Sequence, residues 1–376
     1  MNRFKVVSFP HDYPSSVHEH RIITVAGGEY IDGDTLSLAE AIRQCEDADA
    51  VLVRWHKIGP DLIHRFQRCK IIIRYGVGYD NVDLTAATDA GIMVGHVPTY
   101  CLDEVATQAL ALLLACVRNV VPIQRRLAQG GWSANPPEKS YRMAGRTLGL
   151  VGLGNIGQTV ARKLGGWGMR LLATDPFVAP EKAAALAVEL VDLDTLCRES
   201  DFISLHAPLL PETRHLIGRR EFDQMKPGVI LVNTARGPVL DAEALLAALD
   251  TGRVAAAGLD VFEVEPLAAD SPLRSHPRII VSDHTAWYSE ESVAELQTTV
   301  AEESVRVCTG GLPLSLANPE VLQRLGRFAE WTPSDAARWQ LKRLERLRAQ
   351  QASSSNARTH CTMKSLKRPS RKSMGI

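Results

Sequence analysis

A chain of 376 residues is long enough for two domains that each bury a core, with some length left over. Basic and acidic residues number 43 each, so no overall field recruits nucleic acid or an anionic membrane. The seven cysteines (45, 69, 101, 116, 197, 308 and 361) are scattered and form no Cys-x-x-Cys pair, which excludes a disulfide scaffold and leads us to expect a cytoplasmic protein.

Residues 1–10 are a short apolar alternation broken by His11 and Asp12, unlike the continuous apolar segment of a signal peptide. Short, β-branched runs at 4–9, 21–26, 50–54, 71–74 and 93–97 then read as strands covered on both faces. Segments 37–46, 61–67 and 85–90 carry helical spacing between them. His18 and His20 fall in what reads as a polar loop, and no metal-ligand spacing stands out, so no metal is expected.

A second series opens with a helix at 103–118. Its apolar part, 105–117, is too short to span a bilayer and reads as buried. Six strands follow, at 147–152, 170–174, 202–206, 229–233, 255–259 and 278–282. A helix at 289–308, stopped by Gly310 and Gly311, is expected to return the chain to the first domain. The fold class is therefore α/β, with two Rossmann-like domains, doubly wound parallel sheets and an active-site cleft between them. The expected limits are 1–101 completed by 289–320 for a substrate domain, and 102–288 for a dinucleotide-binding domain. Residues 321–376 read as a basic extension: 335–350 suit a charged amphipathic helix, and 352–376 hold six basic residues and no acidic one, a composition that favours disorder.

Gly152-Leu153-Gly154-Asn155-Ile156-Gly157 follows a strand and opens a helix. In that context the three glycines serve a tight turn, backbone approach to a pyrophosphate and close helix–strand packing, while helix amides meet the phosphates. Asp175 ends the next strand, 18 residues after Gly157. It is placed to accept from the adenosine ribose hydroxyls and to repel a further phosphate, so NAD is the expected cofactor.

Arg236 follows a strand within Asn233-Thr234-Ala235-Arg236-Gly237 and should lie at the carboxyl edge of the sheet. A guanidinium offers a permanent planar fork to a carboxylate and a carbonyl oxygen. His284 ends another strand and can exchange a proton with that oxygen, while Glu265 would hold the imidazole and favour its charged form. Together these groups suit hydride transfer at a 2-oxo acid. Trp287, three residues beyond His284, is expected to line the pocket for the substrate's side chain, where its apolar face suits a larger aliphatic or thioether group.

With these motifs in place, the chain resembles the NAD-dependent D-isomer-specific 2-hydroxyacid dehydrogenases from about residue 4 to 316. The carrying segments are the glycine fingerprint, Asn233 to Gly237 and Leu259-Asp260-Val261-Phe262-Glu263-Val264-Glu265-Pro266. The segment His284-Thr285-Ala286-Trp287-Tyr288-Ser289-Glu290 is similar to the C-terminal-binding protein branch, which includes NAD-binding corepressors. The resemblance implies that Arg236 binds substrate and that His284, supported by Glu265, is the acid/base. It also implies that Asp260 contacts the nicotinamide carboxamide and that Thr234 and Ala235 border the cofactor, as does the stretch from His206 through Pro208 to Thr213. Backbone amides around Tyr75, Gly76, Val77 and Gly78 would receive the substrate carboxylate. A homodimer formed through the helix beginning near Asp103 is implied as well. Asp283 departs from the family, whose members commonly carry proline before the histidine; strand neighbours point to opposite faces, so it is read as structural. The rival reading is an NAD-sensing interaction protein of corepressor type with little turnover.

Overall fold

The computed structural model describes residues 4–135 and 139–331. Its first sheet contains β1 (Lys5–Ser8), β2 (Glu29–Ile31), β3 (Ala50–Val53), β4 (Ile71–Arg74) and β5 (Met93–His96), in the order 2-1-3-4-5. β3 reads Ala-Val-Leu-Val and β4 Ile-Ile-Ile-Arg, and only Arg74 among them escapes full burial. Helices cover both faces, so there is no polar alternation to read.

The second sheet holds β6 (Thr147–Val151), β7 (Arg170–Thr174), β8 (Val188–Leu190), β9 (Phe202–Leu205), β10 (Val229–Asn233), β11 (Val254–Leu259) and β12 (Ile279–Val281). Their order is 12-11-10-9-6-7-8, and every pairing is parallel. This is a doubly wound nucleotide-binding sheet with β6 as its first strand and one additional strand at the far edge. The order reverses between β6 and β9, where Val151 pairs with Leu205. Gly152 and His206 consequently leave the sheet side by side at the switch point, the place where such sheets bind ligands.

Two long helices fix the relation of the sheets to the chain. Helix Leu102–Val117 buries Ala106, Ala109, Leu110 and Leu113 with Leu148 and Leu150 in the core of the second sheet. Helix Glu290–Cys308, capped by Ser289, buries Leu296, Val300 and Ala301 with Val6, Leu52 and Ile73 in the core of the first. The return is pinned further along by Asn318, whose side chain accepts from Val94 N and donates to the Ile92 carbonyl. Losing one buried leucine such as Leu296 to alanine would cost about 2–5 kcal/mol, enough to loosen this closure. Among the described residues no single helix is long and apolar enough to cross a membrane.

Several sequence expectations are corrected. Residues 21–26, read as a strand, belong to helix Val17–Val25. Ile23 is fully buried, Ile22 and Ala26 pack beside it and Val25 is exposed; this one-sided spacing outweighs the β-branched composition. His18 and His20 therefore lie on a helix and not in a loop. The second sheet has seven strands instead of six: β8, like β2 in the first sheet, is a three-residue strand at a sheet edge and too short to show a pattern. Of the stretch read as an extension from 321, the first part is packed: Val321 and Leu322 are fully buried, and Trp331 is buried with its Nε1 donating to the Pro313 carbonyl at 2.8 Å. The helix expected at 335–350 and the basic stretch 352–376 lie outside the described residues.

Candidate active site

The fingerprint loop lies where β6 enters helix Asn155–Lys163. Gly152 has φ +95° and its absent Cβ would stand 2.8 Å from Ala207 N, so only glycine closes the turn against β9. A Cβ on Gly157 would meet the Gly152 carbonyl oxygen at 2.3 Å, which fixes the close helix–strand approach. At Gly154 nothing lies within 4 Å, and this helix N-cap supplies no side-chain acceptor to the first-turn amides. Backbone of Gly154, Asn155 and Ile156 is thus open to a diphosphate.

Asp175, just after β7, accepts from Leu153 N and Phe177 N, each at 2.8 Å. It shares a shallow recess with Thr174, Pro176, Leu190, Val191 and Asp192. The donor set, the uncovered helix amides and this acidic recess fit an adenine dinucleotide that lacks an extra ribose phosphate. His206 is partly buried at the switch point, its ring nitrogens shielded from solvent with neither hydrogen-bonded, and desolvation pushes its pKa down to about 4, so it stays neutral. Thr213 Oγ1 closes the 208–213 turn by donating to the Pro208 carbonyl and accepting from Leu210 N. Thr234 Oγ1 is buried without a hydrogen-bond partner, and Ala235 N donates to Asn233 Oδ1.

A cavity of about 830 Å³ opens between the carboxyl edges of the two sheets. Arg236, Glu265 and His284 line it from the second sheet, and Arg54, Trp55, Arg74 and Asp80 from the first. His284 Nδ1 lies 2.7 Å from Glu265 Oε2, and Glu265 Oε1 accepts from Phe262 N at 2.9 Å. Partial burial works against ionisation of Glu265, but the hydrogen bond and charge of His284 hold its carboxyl below the usual range. His284 has φ 59°, a left-handed conformation that a β-carbon makes costly. It is held there by His284 N donating to the Asp260 carbonyl at 2.9 Å and by Trp287 Nε1 donating to the His284 carbonyl at 2.8 Å.

Asp260 is fully buried, and its carboxylate accepts from Ser282 Oγ, Thr285 N and Ala286 N. Burial raises its pKa, and those hydrogen bonds offset the shift in part. The side chain therefore organises the loop that carries the imidazole. Trp287 is not in the cavity lining: its ring packs behind Arg54, 5.1 Å from the guanidinium, and among Tyr13, Tyr100 and Tyr288. The indole is drawn there by its bond to the His284 carbonyl.

Arg236 donates through Nε to Asp80 Oδ1 at 3.1 Å and through Nη1 to the Ala235 carbonyl. Burial opposes ionisation of Asp80, yet the Arg236 charge keeps its carboxyl below the ordinary range. The guanidinium lies on the 76–78 loop so closely that a Cβ on Gly78 would stand 1.6 Å from Nη2. In that loop Gly76 N is committed to the Arg74 carbonyl, whereas Val77 N and Gly78 N donate to no protein group among the described residues. Tyr75 turns the other way, fully buried, with its hydroxyl donating to Glu19 Oε1 at 2.9 Å. The Arg236 guanidinium therefore rests on a loop with two amides that have no protein partner, and it lines the same cavity as His284.

Sequence reasoning missed Arg54, Trp55, Arg74 and Asp80. The available signal was position, since Arg54, Trp55 and Arg74 stand at or just beyond the carboxyl ends of β3 and β4. It also missed the approach of His11, Asp32 and Asp34 within 4.8 Å of one another. Those carboxylates accept from His11 N, Asp12 N, Asp34 N and Ser16 Oγ, and they brace the β1 and β2 ends.

Residues 110–286 match the family described as D-isomer specific 2-hydroxyacid dehydrogenase, NAD binding domain. The chain is 39% identical over 317 residues to a D-3-phosphoglycerate dehydrogenase of Methanocaldococcus jannaschii, covering 83% of this chain but only 60% of that protein. It is 39% identical to a glyoxylate reductase of Korarchaeum cryptofilum, covering 76% of this chain and 86% of the relative. A D-lactate dehydrogenase from Aquifex aeolicus, solved with NAD and lactic acid, superposes with a TM-score of 0.71 at 26% identity, over 86% of this chain and 98% of that one. The fingerprint at a sheet switch point, the imidazole–carboxylate pair facing an arginine, and these likenesses lead to one conclusion: the chain belongs to the D-isomer-specific 2-hydroxyacid dehydrogenases, NAD-dependent oxidoreductases that interconvert small 2-oxo acids and D-2-hydroxy acids.

Proposed function

We propose that the cavity carries out this reaction with Arg236 anchoring the substrate carboxylate and polarising its carbonyl, His284 moving the proton at the carbonyl oxygen, and Glu265 holding the imidazole. The observation that carries the reading is the 2.7 Å contact of His284 Nδ1 with Glu265 Oε2 in a cavity that Arg236 also lines. With Nδ1 committed, Nε2 is left to donate in reduction or accept in oxidation. The bound cofactor supplies or receives the hydride. The free amides of Val77 and Gly78 would receive the carboxylate beside Arg236, and the Gly152–Gly157 loop and Asp175 would hold the two halves of the dinucleotide.

Around this site we propose a substrate domain of residues 1–101 completed by 289–320 and its packed continuation to 331, with 102–288 binding NAD. The separate cores of the two sheets support that division. A homodimer through the region of helix Leu102–Val117 is part of the proposal, supported by the exposed Val120, Leu127 and Trp132 that follow it. A cytoplasmic location is proposed on the six described cysteines, all of them free. The relatives are named as dehydrogenases and reductases, which favours turnover over an NAD-sensing interaction protein; likeness to the C-terminal-binding protein branch rests on residues 284–290 alone.

The test is purified protein with NADH and a panel of 2-oxo acids, followed by loss of NADH absorbance. Saturable turnover of at least one acid is expected. Tight NADH binding with only trace turnover across the panel would overturn the enzymatic reading in favour of the sensor.

A further inference from the structure

We propose that His96 is a positioning residue for the substrate: by holding the Val77 carbonyl it sets the direction of the Gly78 amide that receives the substrate carboxylate. This rests on the dehydrogenase reading and deepens it, since that reading gives the amide its ligand.

His96 ends β5, is 3% exposed, and its Nδ1 donates to the Val77 carbonyl at 2.8 Å. A carbonyl oxygen can only accept, so the imidazole carries a proton on Nδ1. The next residue does the same through its backbone: Val97 N donates to the Gly76 carbonyl at 2.9 Å. Two consecutive carbonyls of the 76–78 loop are thus bound to one two-residue segment. The peptides of this loop are trans, and in a trans peptide the carbonyl and the N–H that follows it point in opposite directions. Fixing the Gly76 and Val77 carbonyls toward the end of β5 therefore turns the Val77 and Gly78 N–H groups away from it, both to the same side. Consecutive N–H groups presented in this way suit an anion.

The platform beneath is firm. All four residues of β5 are buried, Val94 N donates to Asn318 Oδ1 at 2.8 Å, and Gly95 bridges Leu316. The Tyr79 ring packs edge-on to the imidazole, 5.1 Å between ring centres. Val97 holds its carbonyl whatever its side chain, whereas the Val77 carbonyl depends on what residue 96 can donate. Without that donor the 77–78 peptide can rotate and take the Gly78 N–H with it. Arg236 rests against Gly78, so the direction of this amide decides whether one carboxylate can use both.

The experiment measures the affinity of the protein–NADH complex for oxamate, an unreactive 2-oxo acid analogue, together with kcat and KM for glyoxylate. The parent is compared with His96→Asn, whose amide N–H can stand about where Nδ1 stood, and with His96→Leu, which fills the volume and donates nothing. His96→Asn is expected to stay close to the parent. His96→Leu should weaken oxamate and raise KM by roughly ten- to a hundredfold, the scale of one hydrogen bond to a charged group. Its kcat and NADH affinity should change far less, because the amide holds the carboxylate alike in ground and transition states. Equal affinity in all three proteins overturns the proposal, and so does an equal loss in both variants, which would make the imidazole a packing contact. If His96→Leu does not fold, His96→Ala takes its place, and failure of both to fold would make His96 a folding contact and overturn the proposal. A parent that binds oxamate but reduces no 2-oxo acid sinks the dehydrogenase reading alone, since the oxamate comparison still decides the role of His96; a parent that does neither sinks both.

Discussion

Replacing Gly78 by alanine displaces Arg236, the proposed substrate-binding cation, without altering it. The new methyl would stand 1.6 Å from Arg236 Nη2 and 2.6 Å from Cζ. Unbonded heavy atoms settle at about 3.5 Å, so the guanidinium must retreat by about 2 Å. The obstacle is the far end of a flexible side chain and the Gly78 backbone is not left-handed, so the fold should absorb the change within about 1 kcal/mol, the scale of an ordinary tolerated substitution. Catalysis should not absorb it. The retreat breaks the 3.1 Å contact with Asp80 and lifts the fork off the 76–78 loop. Misplacement by about 1 Å costs on the order of a hundredfold in rate, so kcat/KM should fall by at least about two decades for every 2-oxo acid tested. The assay titrates substrate at saturating NADH, with a thermal melt and an NADH affinity measurement on the same preparation. Parent-level kcat/KM in a folded Gly78→Ala protein would refute the reasoning, because Arg236 would then not rest on this loop when substrate is bound.

His284→Ala should lose about two to four decades of kcat while NADH affinity holds. Because His284 has φ 59°, which asparagine tolerates better than alanine, His284→Asn separates backbone strain from proton transfer: recovery of turnover by asparagine would count against the acid/base role. Asp175→Ala should weaken NADH and narrow its advantage over NADPH, and it also removes the acceptor for Leu153 N and Phe177 N. Asp175→Asn keeps an acceptor but not the charge, so an unchanged ratio of the two dissociation constants in both variants would place discrimination elsewhere. The Glu265 carboxyl is depressed in the folded protein, so its pair with His284 is intact above the ordinary glutamate value and lost only as pH falls through the lower folded one. Reductive kcat/KM should therefore show no carboxylate-linked loss until below about pH 4.3, the unperturbed value. An acid limb centred above that, absent in Glu265→Gln, would contradict the assignment.

The parts of this molecule that depend on local pattern were legible in the sequence. Unpatterned β-branched runs announced β3, β4 and β5, and the glycine spacing before a helix announced the switch point, because each follows from residues adjacent in the chain. Helix Val17–Val25 was misread because Ile22, Ile23 and Val25 have strand propensity, and only the packing partner, helix Glu290–Cys308, reveals which of them are buried. Arg236, Glu265 and His284 were singled out from their positions after strands of the second sheet, and they line one cavity. Arg54, Arg74 and Asp80 were not, since a charged residue at or beyond a strand end looks the same in sequence whether it faces solvent or a cavity. Trp287, expected to line the pocket, lies behind Arg54 and outside the cavity lining, because chain proximity to His284 does not say which way an indole turns.

The division of the site between two sheets has an energetic consequence. Arg236 already holds a carboxylate, that of Asp80, so a substrate carboxylate arriving at the fork replaces one ion pair by another of similar geometry, and that exchange contributes little net affinity. Groups that gain a partner only when substrate binds must supply the rest. On the proposed reading these are the amides of Val77 and Gly78 on the first sheet and, on the second, His284, which would gain a hydrogen bond at the reacting oxygen. A ligand that satisfies both sets bridges the sheets and favours the arrangement in which imidazole and carbonyl meet. A ligand that satisfies only the fork leaves those amides unpartnered and gains correspondingly little affinity.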